Sequence, residues 1–176
     1  MKNKKLKNQF DFKNFKPMRV LGIDPGFERL GIAVLEKNKT DKKERVLFSE
    51  CFKTSAKLDF PERIWLIGTE VKKIIKKYKP EILSIETLFL NTNQKTVMRV
   101  AEVRGVVIYE AVQAGLKIFE ASPPQIKIAT TGYGKANKEQ ILKMIKMLVE
   151  IDKSKTSDDE LDAIAAAITA FAYIRF

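Results

Sequence analysis

Residues 18–26 read Met18-Arg19-Val20-Leu21-Gly22-Ile23-Asp24-Pro25-Gly26, an apolar run stopped by an acid, a proline and a glycine. A short apolar run bounded by turn residues is a strand candidate, and this one delivers a carboxylate at its end. Outward from it, Leu30 to Leu35 is a second strand candidate after a tight connection. Lys37 to Glu44 is a polar loop, and Arg45 to Phe52 is a third strand candidate. Three consecutive strands with short connections predict an antiparallel meander.

The period then changes. Ile64, Ile67, Val71, Ile74, Ile75 and Tyr78 recur at helical spacing behind Pro61, with Lys72, Lys73, Lys76, Lys77 and Lys79 on the other side and Pro80 as the stop. Those lysines suit a solvated helix face as well as a phosphate contact. Ile82 to Ile85 is a buried strand running into Glu86. A polar connection, Asn91 to Asn93, leads to a long helix from about Gln94 to Ala114, closed by Gly115. Along it Val97, Val100, Ala101, Arg104, Val107, Ile108 and Ala111 form a broad, mostly apolar stripe. Lys117 to Glu120 is the fifth strand, and Pro123 and Pro124 open a short helix. Thr130 to Asn137 is a glycine-containing loop, and two amphipathic helices follow, Lys138 to Val149 and about Ser157 to Ile174. The order β-β-β-α-β-α-β-α-α predicts an α/β fold, a mixed five-stranded sheet with helices on both faces.

The 176 residues are enough for one domain with a continuous core. A single cysteine, Cys51, forms no internal bridge and suits a reducing compartment. No apolar run approaches the roughly 20 residues of a membrane span, and the N-terminus lacks the apolar centre of a secretory signal. The expectation is a soluble, cytoplasmic protein. Its net charge of +11 favours phosphate backbones through counterion release, or simply keeps it soluble. Part of the excess lies in residues 1–17, where six lysines stand against Asp11 without hydrophobic periodicity. They read as a mobile basic arm, with residues 18–176 as the globular domain.

Four acids occupy positions where the backbone should hold them rigidly. Asp24 and Glu86 end apolar strands, and Asp159 and Asp162, at i and i+3, share one face of the last helix. The remainder of that helix, Ala163 to Phe171, is almost wholly apolar, so it should pack onto the sheet. A strand-end acid is often a turn or cap residue, and a DxxD pair at a helix start often compensates the helix dipole. Several such acids brought together need a partner, because an unpaired buried carboxylate is costly. With no histidine and one cysteine the available ligands are oxygens, which points to Mg²⁺ or Mn²⁺. Two such ions about 3.5–4 Å apart can hydrolyse a phosphodiester.

From Met18 to Phe171 the chain resembles the RuvC Holliday-junction resolvases. The phrases that carry the resemblance are Gly22-Ile23-Asp24-Pro25-Gly26, Gly31 with its strand, Ile85-Glu86-Thr87-Leu88-Phe89 and Arg104-Gly105-Val106. Gly132-x-Gly134-x-Ala136-x-Lys138 and Asp159-x-x-Asp162-Ala163 complete them. The resemblance implies an RNase H-like fold, a homodimer joined through the long helix, and paired nicks in four-way junction DNA leaving 5′-phosphate and 3′-hydroxyl ends. It also implies a branch-migration motor as a partner. Asp24, Glu86, Asp159 and Asp162 match the family's metal-binding acids, with Asp158 a rival to Asp159. Lys138 matches a basic catalytic residue near the scissile phosphate, while Lys127 and Arg104 match positions at the DNA. Phe89 matches an aromatic that stacks on a junction base. The rival readings are an RNase H-like nuclease of ribosomal RNA processing, an ATPase of the actin and sugar-kinase superfamily, and a junction binder without catalysis.

Overall fold

A computed structural model describes residues 16–38, 40–88, 94–151 and 156–174. The basic arm up to residue 15, Phe89, and the connection Asn91 to Asn93 lie outside the described residues.

The strands are β1 (Met18–Asp24), β2 (Arg29–Lys37), β3 (Glu44–Lys53), β4 (Ile82–Glu86), β5 (Lys117–Ala121) and β6 (Val149–Glu150). The helices are α1 (Phe60–Tyr78), α2 (Gln94–Gln113), α3 (Pro123–Thr131), α4 (Lys138–Leu148) and α5 (Asp158–Tyr173). The sheet order is β5-β4-β1-β2-β3-β6. β1 to β3 form the expected antiparallel meander, and β4 and β5 add parallel to β1. The expected five strands are six. Val149, read as the end of a helix, instead begins a two-residue strand that pairs with Glu44 and Arg45. Two residues are too few for a period-2 pattern to show in sequence. Beyond that short pairing, among the described residues, β3 from Val46 to Lys53 has no strand on its outer side.

Alternation along the strands divides the core into two layers. Leu21, Ile23, Leu30, Ile32 and Val34 face α1 and α2, which contribute Ile67, Val71, Val103, Val107 and Ala111. Val20, Ala33 and Leu35 face the opposite layer, where α5 supplies Leu161, Ile164 and Ile168, and α4 supplies Ile145. Helix α2 turns Val103, Val107 and Ala111 fully inward. Val107 and Ala111 belong to the stripe read from sequence, whereas Val103 does not, and its burial moves the core line to one side of Val100 and Arg104.

Helix α5 starts on a capping box in which Ser157 and Glu160 satisfy each other's backbone amides. Its Ala-rich body lies unusually close to β1. A Cβ on Gly22 would come within 2.1 Å of the Ala163 carbonyl oxygen and 2.9 Å of the Ala167 Cβ. Across the same layer the buried Ser84 hydroxyl donates to the Ala166 carbonyl at 2.5 Å, tying β4 to the helix. Among the described residues no helix is long and apolar enough to cross a membrane.

Candidate active site

Parallel pairing of β1 with β4 sets Ile23 opposite Ile85, so the next residues, Asp24 and Glu86, emerge side by side at the strand ends. Antiparallel pairing sets Asp24 opposite Gly31. The bare Cα of Gly31 admits the first turn of α5, whose Asp159 carbonyl oxygen would lie only 2.1 Å from a Cβ built there. Two strand ends and one helix start therefore meet at one end of the sheet, as the strand-end acids and the DxxD helix predicted.

The electrostatics show that the carboxylates sense one another. Burial, followed by the charges of Asp162, Glu86 and Asp159, pushes Asp24 up to about 7. Burial and Asp162 raise Glu86. Burial also raises Asp162, against the attraction of Lys138. Asp159 behaves oppositely. The Arg29 guanidinium donates to its Oδ2 through Nε at 3.0 Å and through Nη2, and holds that carboxyl below its usual range.

Lys138, the first residue of α4, reaches across to α5, with Nζ 3.3 Å from Asp158 Oδ2 and 3.4 Å from Asp162 Oδ2. Asp158, the rival to Asp159, is well exposed on the Lys138 side, and only Asp159 is among the carboxylates that raise Asp24. Lys127 and Lys138 line a cleft of about 290 Å³ together with Glu86 and Asp162. Arg104 is placed differently from a free phosphate contact. Its Nε donates to the Glu86 carbonyl oxygen at 3.2 Å and its Nη2 pairs with Glu120, so it braces the end of β4.

A divalent cation suits this set. The acids are all-oxygen donors, and a carboxyl such as Asp24, disfavoured in its charged form by burial and then by like charges, is relieved by a cation. Among the described residues, however, no three of them converge tightly enough to form a ready-made cage. Asp159 is turned to Arg29, and Asp162 is shared with Lys138.

Several functional contacts escaped the sequence reading. Arg29 opens a strand with no spacing signal to mark it. Glu160 is buried beside the acids and accepts from the Ser49 hydroxyl at 2.7 Å, anchoring the start of α5 to β3. The Ser157-x-x-Glu160 capping-box spacing could have located it. Arg63, also buried, donates to the Phe27 carbonyl and to Thr54, fixing the turn that follows Asp24.

A mixed sheet of this order with acids on β1, β4 and the last helix defines a nuclease of the RNase H-like class. The chain belongs to the RuvC family: the model for crossover junction endodeoxyribonuclease RuvC matches residues 20–170. It is 44% identical over 151 residues to the crossover junction endodeoxyribonuclease RuvC of Caldanaerobacter subterraneus subsp. tengcongensis, covering 86% of this chain and 90% of that one. Identity to the RuvC of Halothermothrix orenii is 40%, with the same coverage. The structure of T. thermophilus RuvC in complex with a Holliday junction substrate superimposes with a TM-score of 0.82 at 31% identity, covering 89% of this chain and 94% of that one. The yeast mitochondrial Holliday junction resolvase Ydc2 shares the fold, with a TM-score of 0.63 at 17% identity.

Proposed function

We propose that this chain is a structure-selective endonuclease of the cytoplasm that resolves four-way DNA junctions in recombination and repair, by paired nicks leaving 5′-phosphate and 3′-hydroxyl ends. The observation that carries the reading is the meeting of Asp24, Glu86 and Asp162 from three separate elements at one end of the sheet, where burial and then the neighbouring charges raise Asp24 to about 7. Asp24, Glu86, Asp159 and Asp162 would hold two Mg²⁺ ions, with Mn²⁺ as a substitute, and these supply an activated nucleophile and charge neutralisation at the leaving oxygen.

The chain's own groups perform the remaining tasks. Lys138, already at the carboxylates, offers a cation to the charge that develops on the phosphoryl oxygens. Lys127, which lines the same cleft, holds a backbone phosphate. Arg104 keeps Glu86 in place through the β4 backbone. Phe89 stacks on an unpaired junction base, as its match to the family implies.

Two copies act together, because two related sites fit two related strands. Support comes from α2, where exposed Met98, Glu102, Gly105, Tyr109 and Val112 follow one another at spacings of four and three. That is the repeat of a helix–helix seam, with Gly105 permitting close approach. A branch-migration motor is the expected further partner.

The test is incubation of wild-type and Asp24→Asn protein with a labelled four-way junction and matched linear duplex, in Mg²⁺ or in EDTA. Symmetric nicks in the junction alone, lost about a thousandfold in the variant while binding persists, are the expected result. Binding lost together with cleavage would make Asp24 structural. A preference for structured RNA would return the reading to the RNA-processing rival.

A further inference from the structure

The Arg29–Asp159 pair does not belong to the fold's frame. Arg29 is the first residue of β2 and its side chain is half exposed, at 51%, whereas Asp159 is 20% exposed. Two guanidinium nitrogens converge on one carboxylate oxygen, Oδ2. The Cys51 thiol, on β3 across from Gly31, adds to the pull that keeps the same carboxyl ionised. Asp159 is thereby held over β2 and β3. Among the carboxylates that raise Asp24 it comes last, after Asp162 and Glu86.

A carboxylate held by a guanidinium fork is a poor ligand until the fork lets go, since the charge-assisted bonds compete directly with the cation for the same oxygen. We propose that Arg29 is a latch on Asp159, a positioning residue that keeps the fourth acid out of the metal cluster until a cation displaces it. The inference rests on the endonuclease reading, in which Asp159 is a metal ligand. It accounts for the absence of a preassembled cage among the described residues without displacing the backbone: Asp159 is already at the site through its main chain, against Gly31, and only its side chain is diverted. The latch leaves the sheet and helix intact when it opens, because the Arg29 side chain is half exposed at the first position of β2.

The test is calorimetric titration of Mn²⁺ into the metal-stripped full chain without DNA, for wild type, Arg29→Gln, Asp159→Asn and the double variant. Arg29→Gln is expected to tighten Mn²⁺ binding by about fivefold or more, an ordinary size for coupling between two competing contacts. The gain should vanish in the Asp159→Asn background. Equal tightening in both backgrounds would reduce Arg29 to a nearby positive charge and overturn the latch, as would unchanged or weaker binding. Arg29→Lys keeps the charge but loses the fork, so it too should tighten binding, and it carries the test if glutamine impairs folding. A wild-type chain that takes up no Mn²⁺ would sink the endonuclease reading itself. That result is distinct from a wild-type isotherm that the Arg29 variants leave unmoved.

Discussion

Gly31 stands against the main chain of Asp159: a Cβ at Gly31 would lie 2.1 Å from the Asp159 carbonyl oxygen and 3.0 Å from the Asp24 Cβ. One glycine thus sets the separation between an acid on β1 and an acid on α5. Gly31→Ala should push the helix start outward. The expected cost is about 1–3 kcal/mol, the range for overpacking a close contact, read from urea midpoints. Junction cleavage should fall much further than stability does, and a variant that keeps wild-type cleavage would show that the spacing is not critical.

Asp24 carries a pH signature. Its folded-state pKa, about 7, lies above the value of 3.8 for the free side chain. Stability from this group is therefore complete below about pH 4 and is lost as the pH rises through 7. In EDTA at pH 8, Asp24→Asn should be more stable than wild type, by up to about 4 kcal/mol. At pH 4 the gap should close. Added Mg²⁺ should stabilise wild type far more than the variant. Thermal melts across pH, with and without metal, measure all three effects.

Glu160 joins the N-cap of α5 to Ser49 on β3. Glu160→Ala removes both attachments and leaves the half-buried Ser49 hydroxyl without this acceptor. A loss of about 2 kcal/mol is expected in denaturant unfolding. Because Asp159 and Asp162 ride on the freed turn, the Mg²⁺ concentration needed for half-maximal cleavage should rise. Stability lost with no change in metal requirement would confine Glu160 to capping.

Lys127 lines the cleft without touching the acids. If it contacts a phosphate, Lys127→Ala should weaken junction binding at every sequence and flatten the dependence of log affinity on log salt by about one. Filter binding across a salt series reads this directly, and an unchanged slope would remove Lys127 from the DNA surface.

Met98, Tyr109 and Val112 are the large exposed apolar residues of the α2 seam, at 65%, 61% and 58% exposure. Tyr109→Glu should raise the dimer dissociation constant at least about tenfold, since it buries a charge in a helix–helix contact. Sedimentation velocity reports the change. Cleavage should pass from paired to single nicks. A variant still dimeric at micromolar concentration would place the contact elsewhere.

Most of this fold was legible because its strands and helices carry strong periods: β1 as a bounded apolar run, α1 behind Pro61, α5 as an Ala-rich face. Asp24, Glu86 and Asp162 could be picked out because each closes or opens such an element. The partners that position them could not. Arg29 and Asp159 are 130 positions apart, and nothing in either local pattern announces the other. Val103 was missed because α2 is apolar on more than one side, so its core face was ambiguous until the sheet was placed. The strand at Val149 and Glu150 was invisible because its reason for existing is β3.

That same β3 has a consequence for handling and for mutation. From Val46 to Lys53 its outer row of amides and carbonyls meets no neighbouring strand among the described residues, which makes it a template for the strand of another molecule. Glu50 and Lys53 place charge along that stretch and act as gatekeepers against self-association. Changing Glu50 to valine would leave the nuclease folded while inviting filaments in concentrated stocks, so the cost of losing a surface charge here would be paid in colloidal behaviour rather than in melting temperature.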